Sequence, residues 1–249
     1  MTRRDALDTV ASLLGAGLIA AALVIIWVAR VQYGAADLYV SELGATGAST
    51  AREFEIALLL VVSGGALVAF AGKDVRSRVR LLAFWAPAVS IWVACSFFLV
   101  ASQVTCKYEC PLPTGTPFDW QDFIHICCAV LAFAAACLAM LQTSFAVGHR
   151  VLAVFSLTIA ISVAVISGIG GILSLAKVGT AFGGYAEFTA TTLAIGWVIV
   201  YGIVIAVGRI QARRLRVVPD EIPADEVLVD EVELGDIRSR SRLASPTST

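Results

Sequence analysis

Six long apolar segments constrain the fold of this chain more than any other feature of its sequence. Crossing a hydrocarbon core of about 30 Å takes about 20 apolar residues in a helix. Hydrophobic residues make up 59% of the chain and charged residues 15%, whereas about 25% of residues are charged in soluble domains. The sequence therefore predicts an all-α membrane protein, a bundle of six transmembrane helices. The predicted spans are Val10–Ala29, Ile56–Gly72, Leu81–Ala101, Phe123–Leu141, Val151–Ala176 and Phe188–Gly208.

Lysine and arginine residues gather on one side of this predicted bundle. Cytoplasmic loops of membrane proteins are enriched in both residues, so we expect the N- and C-termini to be cytoplasmic. The opposite side is acidic and should face the exterior. The basic side holds Arg3, Arg4, Lys73, Arg76, Arg78, Arg80, Arg150, Arg209, Arg213, Arg214 and Arg216, and the other side has only Arg30, Arg52, Lys107 and Lys177.

The composition changes after the sixth apolar segment. From Val217 to Asp236 the chain is rich in acidic residues, and it ends in arginine, serine and threonine residues. Such a segment has too little apolar surface to offset the entropy cost of ordering. The sequence predicts a six-helix transmembrane domain at residues 1–212 and a disordered cytoplasmic tail at residues 213–249. This tail can dock a cytoplasmic partner or accept phosphate, but a plain solvated tail is the simpler interpretation. No nucleic-acid partner is expected.

Two helix starts carry local signals. Thr50, followed three residues later by a glutamate, fits a capping box, so we expect the second helix to begin near Ala51. Before the fourth helix, Thr116, Pro117 and Asp119 supply a capping hydroxyl, a proline at the first position and an acid at the third. A capping role is therefore one interpretation of Asp119.

Cys106 and Cys110 lie in the predicted external loop between the third and fourth helices. An oxidising exterior favours a small disulfide ring, with free thiols as the alternative. A metal site is less favoured, because no second cysteine or histidine pair with zinc spacing accompanies them, and the sequence names no cofactor. Cysteines inside apolar spans usually behave as small hydrophobic residues, and we assign four to packing: Cys95, Cys127, Cys128 and Cys137.

Asp122 and His125 are the strongest candidates for a functional site. On a helix that begins near Asp119 they share one face, and ionisable groups at this depth are costly to bury. Asp122 can orient the His125 ring, as a carboxylate orients a catalytic or metal-binding imidazole. The structural alternative is a buried polar pair that ties the fourth helix to a neighbour.

Other polar residues can join this pair at the outer end of the bundle. Glu187 begins the sixth helix, where the helix dipole alone favours an acid, and Arg52 can form an ordinary surface pair with Glu55. A converged cluster could bind a divalent cation or a lipid headgroup, or carry out acid–base chemistry through His125. The full set of candidates is Ser41, Glu42, Arg52, Asp119, Asp122, His125 and Glu187.

The chain resembles the bacterial six-span membrane family known as domain of unknown function 998. The resemblance rests on the Ser-Glu-Leu-Gly-Ala-Thr-Gly sequence of residues 41–47, on the cysteine loop ending in Cys110 and Pro111, on residues 119–125, and on the hydrophobic layout. It covers the first to the sixth helix and implies a multi-pass protein of the bacterial plasma membrane.

More distantly, the chain is similar to the eukaryotic autophagy-modulator and lipid-remodelling six-span proteins. Those proteins have a Ser-Asp-x-Gly sequence in the same loop and an exposed histidine at the fourth helix. The likeness implies a lipid-handling role for Ser41, Glu42 and His125.

The sequence leaves two main functions open. The first is a non-enzymatic membrane protein whose external acidic mouth binds lipid headgroups or a partner in envelope lipid organisation. The alternative is a membrane-embedded hydrolase or transferase that uses His125 and Asp122, with or without a metal. A transporter is less favoured, because the spans lack central charges and, apart from Pro87, helix breaks. The first function is preferred because the chain lacks the HExxH, GxSxG and P-loop motifs.

Overall fold

The described residues of the protein form a bundle of six long α-helices. The computed structural model describes residues 3–34, 38–108, 110, 118–148, 150–176 and 180–217. Within these ranges there is no strand, apart from an isolated bridge between Ser77 and Ala146, and the prediction of an all-helical fold is confirmed. The elements are α1 (Arg3–Tyr33), a 3-10 helix (Val40–Gly44), α2 (Ala51–Ala71), α3 (Pro87–Gln103), α4 (Trp120–Thr143), α5 (Arg150–Leu175) and α6 (Thr180–Val217).

Five of the described helices are long and apolar enough to cross a membrane. They are α1, α2, α4, α5 and the Ala181–Ala212 part of α6. Their outward faces carry large apolar side chains such as Val24, Val130 and Ile172, which are 62%, 61% and 69% exposed. Lipid is the solvent in which a surface of this kind is stable. The chain is a multi-pass membrane protein.

The helix α3 has only 17 residues, which is about 26 Å at 1.5 Å per residue. Its predicted start at Leu81 is wrong, because the helix begins at Pro87. Proline fits the first position of a helix, where its missing N–H is not needed. Ala86 before it has the extended backbone (φ −70°, ψ 152°) that a residue preceding proline favours. Residues 81–86 are as apolar as the helix, so hydropathy alone misplaces the start.

The helix α2 begins at Ala51, as predicted, but without the predicted capping box. Thr50 occupies the N-cap position and makes no side-chain cap hydrogen bond. Its hydroxyl instead donates to the carbonyl oxygen of Leu43 at 2.8 Å. The contact ties the 3-10 helix to the start of α2.

The helix α4 begins at Trp120, with Asp119 itself as the N-cap. The Asp119 carboxylate accepts a hydrogen bond of 2.7 Å from the backbone N–H of Gln121. Asp119 is therefore a capping residue, one position outside the helix rather than at its third residue. Thr116 and Pro117, which the sequence predicted to begin this helix, lie outside the described residues.

Consecutive helices pack side by side, from α1 on α2 to α4 on α5. The helix α6 packs against α1 and α5, where Ser12 donates to the carbonyl of Gly202 at 2.8 Å and the Trp197 indole donates to Ser156 at 2.9 Å. Gly15 of α1 and Gly64 of α2 allow close approach, since a Cβ on either would lie 2.6 Å from the carbonyl oxygen of the other. Such small-residue contacts are how helices associate in lipid.

The alternating helix directions give the bundle two ends. We call the end formed by residues 38–50, 104–108 and 118–119 the loop end, and the end formed by residues 72–86 and 144–148 the basic end. The basic end carries Lys73, Arg76, Arg78 and Arg80.

By its internal contacts the chain divides after Gly208. Residues 209–217, the described part of the second unit, are the last turns of α6. The helix α6 is described to Val217, and the boundary at residue 213 between a transmembrane domain and a disordered tail stays a prediction. Residues 218–249 lie outside the described residues.

Candidate functional site

A cavity of about 100 Å³ lies inside the bundle and reaches the loop end. This volume is several times the roughly 10–15 Å³ that one water molecule needs. Residues of α1, α2, α3, α4, α6 and the 3-10 helix line the cavity, and most of them are aliphatic or aromatic. They include Ile19, Phe54, Ile91, Phe133, Ala136 and Trp197.

Three of the predicted site residues line this cavity: Ser41, His125 and Glu187. Ser41 comes from the 3-10 helix, His125 from the second turn of α4 and Glu187 from the early part of α6. Thr191, one turn further along α6, is a fourth polar residue of the lining. Within the described part of the chain, the lining contains no lysine or arginine. The cavity is therefore apolar along its length and polar at the loop end.

His125 is held in one tautomer by the backbone that follows α3. Its Nδ1 lies 2.7 Å from the carbonyl oxygen of Val104 and 3.1 Å from that of Ala101. Carbonyl oxygens only accept hydrogen bonds, so Nδ1 carries a proton and Nε2 of the neutral ring is an acceptor. No group among the described residues donates a hydrogen bond to Nε2.

The sequence suggested that Asp122 orients the His125 ring, but in the structure Asp122 binds a different partner. Its buried carboxylate accepts a hydrogen bond of 2.8 Å from the backbone N–H of Lys107. The ammonium group of Lys107 in turn bonds to Asp119. Asp122 and Asp119 together fix the cysteine loop on the start of α4.

The Lys107–Asp119 pair changes the acidity of both groups. The hydrogen bond from the Lys107 ammonium, helped by the Gln121 amide, lowers the pKa of Asp119 below its ordinary value of 3.8. The same hydrogen bond and the charge of Asp119 raise the pKa of Lys107 above 10.5. Both groups are therefore charged over the whole physiological range.

Cys106 and Cys110 form a disulfide bond, which confirms the predicted pairing. Their sulfur atoms and a ring nitrogen of His125 lie within 4.8 Å of one another, a spacing that three metal ligands could adopt. The disulfide occupies both sulfurs, and a metal binds the free thiolate, so the oxidised loop does not supply this ligand set. The other four cysteines are free.

The cysteine loop also contacts the segment that carries Ser41. The N–H of Thr46 donates to the carbonyl of Cys106 at 2.8 Å, and the hydroxyls of Thr46 and Thr105 lie 3.0 Å apart. The two loops thus form one layer over the polar end of the cavity.

Glu187 is partly exposed along its side chain, while its carboxyl group is enclosed by protein. The backbone amides of Val40 and Ser41 face this carboxyl group, and the carboxylate of Glu42 lies close to it. The hydroxyl of Tyr39 lies 2.7 Å from that of Ser174 at the end of α5, and Gly183 near the start of α6 packs against both side chains. Glu187 therefore faces the 3-10 helix across the cavity.

The structure separates the remaining candidates from the cavity. Arg52 is exposed on the first turn of α2, and Asp119 and Asp122 are bound to the cysteine loop. Glu42, in the 3-10 helix, is partly buried and acts on Glu187 through its charge. None of these four is among the residues that line the cavity.

Sequence reasoning missed the polar contacts of the basic end. Asp8, 2% exposed, accepts hydrogen bonds of 3.0 and 3.1 Å from Lys73. The buried amide of Gln142 bonds to Ser90 at 2.8 Å, and Ser90 accepts from the Trp85 indole at 2.9 Å. An acid at the edge of the first apolar segment and a glutamine at the end of the fourth were the signals that could have revealed these networks.

Searches of curated proteins and of solved structures found no match to this chain. A family model described as "Protein of unknown function (DUF998)" matches residues 13–204. The matched region includes the three polar residues of the cavity and covers well over half of the chain. The chain therefore belongs to the DUF998 family of membrane proteins.

Proposed function

We propose that this protein binds an amphipathic molecule, a membrane lipid, with one hydrophobic chain in the cavity and the polar group at Ser41, His125 and Glu187. The observation that carries the proposal is the shape of the cavity, whose long apolar wall ends in three polar side chains. Sites for small molecules commonly combine an apolar lining with a few convergent polar groups. The volume of about 100 Å³ suits part of one chain rather than a whole lipid.

The proposal includes a membrane orientation. All six helices, including the shorter α3, span a bacterial plasma membrane with both termini in the cytoplasm. The arginine residues of the basic end support a cytoplasmic position, and the disulfide of the loop end supports an oxidising exterior. The cavity would then take its ligand from the outer leaflet. The distant likeness to lipid-remodelling proteins supports a role in envelope lipid organisation.

The enzymatic alternative is less well supported by the geometry. A backbone carbonyl or a carboxylate can orient a histidine ring through Nδ1, and Nδ1 of His125 bonds to two backbone carbonyls. Asp122, which was to supply that carboxylate, binds the Lys107 amide. The hydrolase or transferase thus loses the Asp122–His125 pair on which it was based, whereas a fixed ring with one free acceptor is sufficient for binding.

Photo-crosslinking in lipid nanodiscs tests the proposal. The probe is an alkyl chain with a diazirine near its end and a small hydroxyl head, and the labelled residues are mapped by mass spectrometry. We expect labelling of Phe133 and Ala136 inside the cavity. Ala136→Phe should fill the deep part of the cavity and reduce this labelling at least tenfold. Ala134→Phe, on the exposed face of the same helix, is the matched control and should leave it unchanged.

Two results would contradict the proposal. One is labelling confined to the outward faces of the helices. The other is equal cavity labelling of both phenylalanine variants when their thermal midpoints match that of the unmodified protein.

A further inference from the structure

We propose that the polar end of the cavity selects a head group that donates hydrogen bonds and carries no negative charge, such as an amine or a hydroxyl. Phosphate and carboxylate heads would be rejected. The inference rests on the proposed function and adds the chemical class of the ligand.

The first step is the count of acceptors at the polar end. Because Nδ1 of His125 donates to the backbone, Nε2 is the ring nitrogen left to accept a hydrogen bond from a ligand, and the oxygens of the Glu187 carboxyl group can also accept. The Thr191 hydroxyl already donates to the Glu187 carbonyl at 2.8 Å, so only its lone pairs remain. Among the described lining residues, the Ser41 hydroxyl is then the one strong side-chain donor that remains, beside the weakly donating thiol of Cys95. A ligand head that supplies protons therefore fits better than one that needs them.

The second step is the absence of positive charge. Within the described residues, the cavity lining has no lysine or arginine, and the cations of the loop end are directed elsewhere. The Arg30 guanidinium lies 3.9 Å from the centre of the Phe188 ring, Lys107 bonds to Asp119, and Arg52 is exposed on α2. Sites that bind phosphate or carboxylate supply such cations.

The third step is the acid at the polar end. A phosphate there would lie beside the Glu187 carboxyl group, with the carboxylate of Glu42 close behind it, and among the described lining residues no cation would balance the added negative charge in this poorly solvated site. An ammonium group would pair with Glu187, and a hydroxyl would donate to either acceptor. Amine and alcohol thus share the chemistry that the geometry favours, while an anionic head combines repulsion with too few donors.

Competition with the photoprobe separates the head groups. Decylamine, decanol and decyl phosphate have the same chain, and each is titrated in nanodiscs of neutral lipid, with its fraction in the bilayer measured. We expect the amine and the alcohol to displace the probe and the phosphate to need at least a tenfold higher fraction. Equal or stronger displacement by decyl phosphate would overturn the inference and leave the proposed function standing. No displacement by any competitor, with no labelling of the cavity, would reject the proposed function itself.

Charge removal at one position tests the same idea. Glu187→Gln keeps the shape of the side chain. The fraction of decylamine needed to displace the probe should rise at least tenfold in this variant, because a charge-assisted hydrogen bond is lost. The fraction of decanol needed to displace the probe should change less than about twofold, a difference too small to reflect a lost hydrogen bond. Glu53→Gln removes an equal charge from an exposed side chain of α2 and should change none of the three. Unchanged amine binding in Glu187→Gln, or an equal loss in Glu53→Gln, would contradict the inference. The ranking of the three competitors is measured on the unmodified protein, so it tests the inference even if either variant fails to fold.

Discussion

At the scale of single residues, the ion pair of Asp8 and Lys73 places a buried carboxylate at the basic end and should contribute to the stability of the fold. Asp8 is 2% exposed, and both of its oxygens lie within 3.1 Å of the Lys73 ammonium. Removing one partner of a buried pair leaves the other charge uncompensated, which typically costs about 3–5 kcal/mol. The Lys73 side chain is 31% exposed, and this exposure reduces the cost because water can solvate the ammonium group.

We expect Asp8→Asn to lower the free energy of unfolding by about 2–3 kcal/mol, below the range for a fully buried pair. Lys73→Met should also lower the free energy of unfolding, because it takes the Lys73 ammonium away from the more deeply buried Asp8 carboxylate. Thermal unfolding in detergent measures both, with Glu53→Gln as a control of equal charge change on an exposed residue. A midpoint for Asp8→Asn within error of the control would contradict the role of the pair.

The Lys107–Asp119 pair gives a pH-dependent contribution at the loop end. The pKa of Asp119 is lowered in the folded protein, so its contribution is full above its ordinary value of 3.8 and is lost as the pH falls through the folded pKa. The pKa of Lys107 is raised above 10.5, so the upper limit lies in the alkaline range. We expect the midpoint difference between the unmodified protein and Lys107→Met to be constant from pH 5 to 9 and to close below pH 3.8. A difference that disappears between pH 5 and 7 would contradict this assignment.

At the scale of elements, the contact between α1 and α2 depends on two glycines that face each other. A Cβ on Gly15 would lie 2.6 Å from the Gly64 carbonyl oxygen and 2.9 Å from Val68, so the helices would have to separate. Gly17, on the same helix, has open space at that position.

Gly15→Ala should therefore lower the free energy of unfolding by about 1–3 kcal/mol through overpacking. Gly17→Ala should be neutral or stabilising by up to about 1 kcal/mol, because alanine is the better helix former. Chemical unfolding of the two variants side by side measures the difference. Equal stability of the pair would show that α1 and α2 do not approach as closely as described.

The sequence alone predicts an element boundary correctly where polar residues adjoin an apolar segment. The start of α2 at Ala51 was predicted from Thr50 and the glutamate three residues later, and it is right although the capping box does not form. The disulfide was predicted from two cysteines in a loop expected to face an oxidising exterior. The start of α3 did not follow, because residues 81–86 are apolar without being helical. Hydropathy indicates whether a segment is apolar enough to lie in lipid, but it does not indicate whether the backbone is helical.

The site was predictable only in part, for a similar reason. Ser41, His125 and Glu187 could be named because polar residues near lipid are costly. The hydrogen-bond partner of each was not predictable, since Asp122 shares a helix face with His125 but binds the Lys107 amide of the loop before the helix. The cavity itself has no sequence signal, because its apolar lining residues look like any others in a membrane helix.

At the scale of the whole molecule, the two ends of the bundle differ in charge and in redox chemistry. The basic end has Arg76, Arg78 and Arg80 on exposed positions, and the loop end has a disulfide. A cytoplasmic loop end would meet a reducing compartment, in which such a bond is rarely kept. The two features independently favour the same orientation.

Single cysteines introduced at the two ends test this orientation in intact bacterial cells. Ser49→Cys places a thiol on an exposed position of the loop end, and Val147→Cys places one at the basic end, where the native side chain is 69% exposed. A membrane-impermeant maleimide should label Ser49→Cys in intact cells and Val147→Cys only after permeabilisation. The unmodified chain is the background control, because its four free cysteines lie within the apolar helices. The reverse pattern would place the cavity mouth on the cytoplasmic side, and a ligand from the outer leaflet could then no longer reach Ser41, His125 and Glu187.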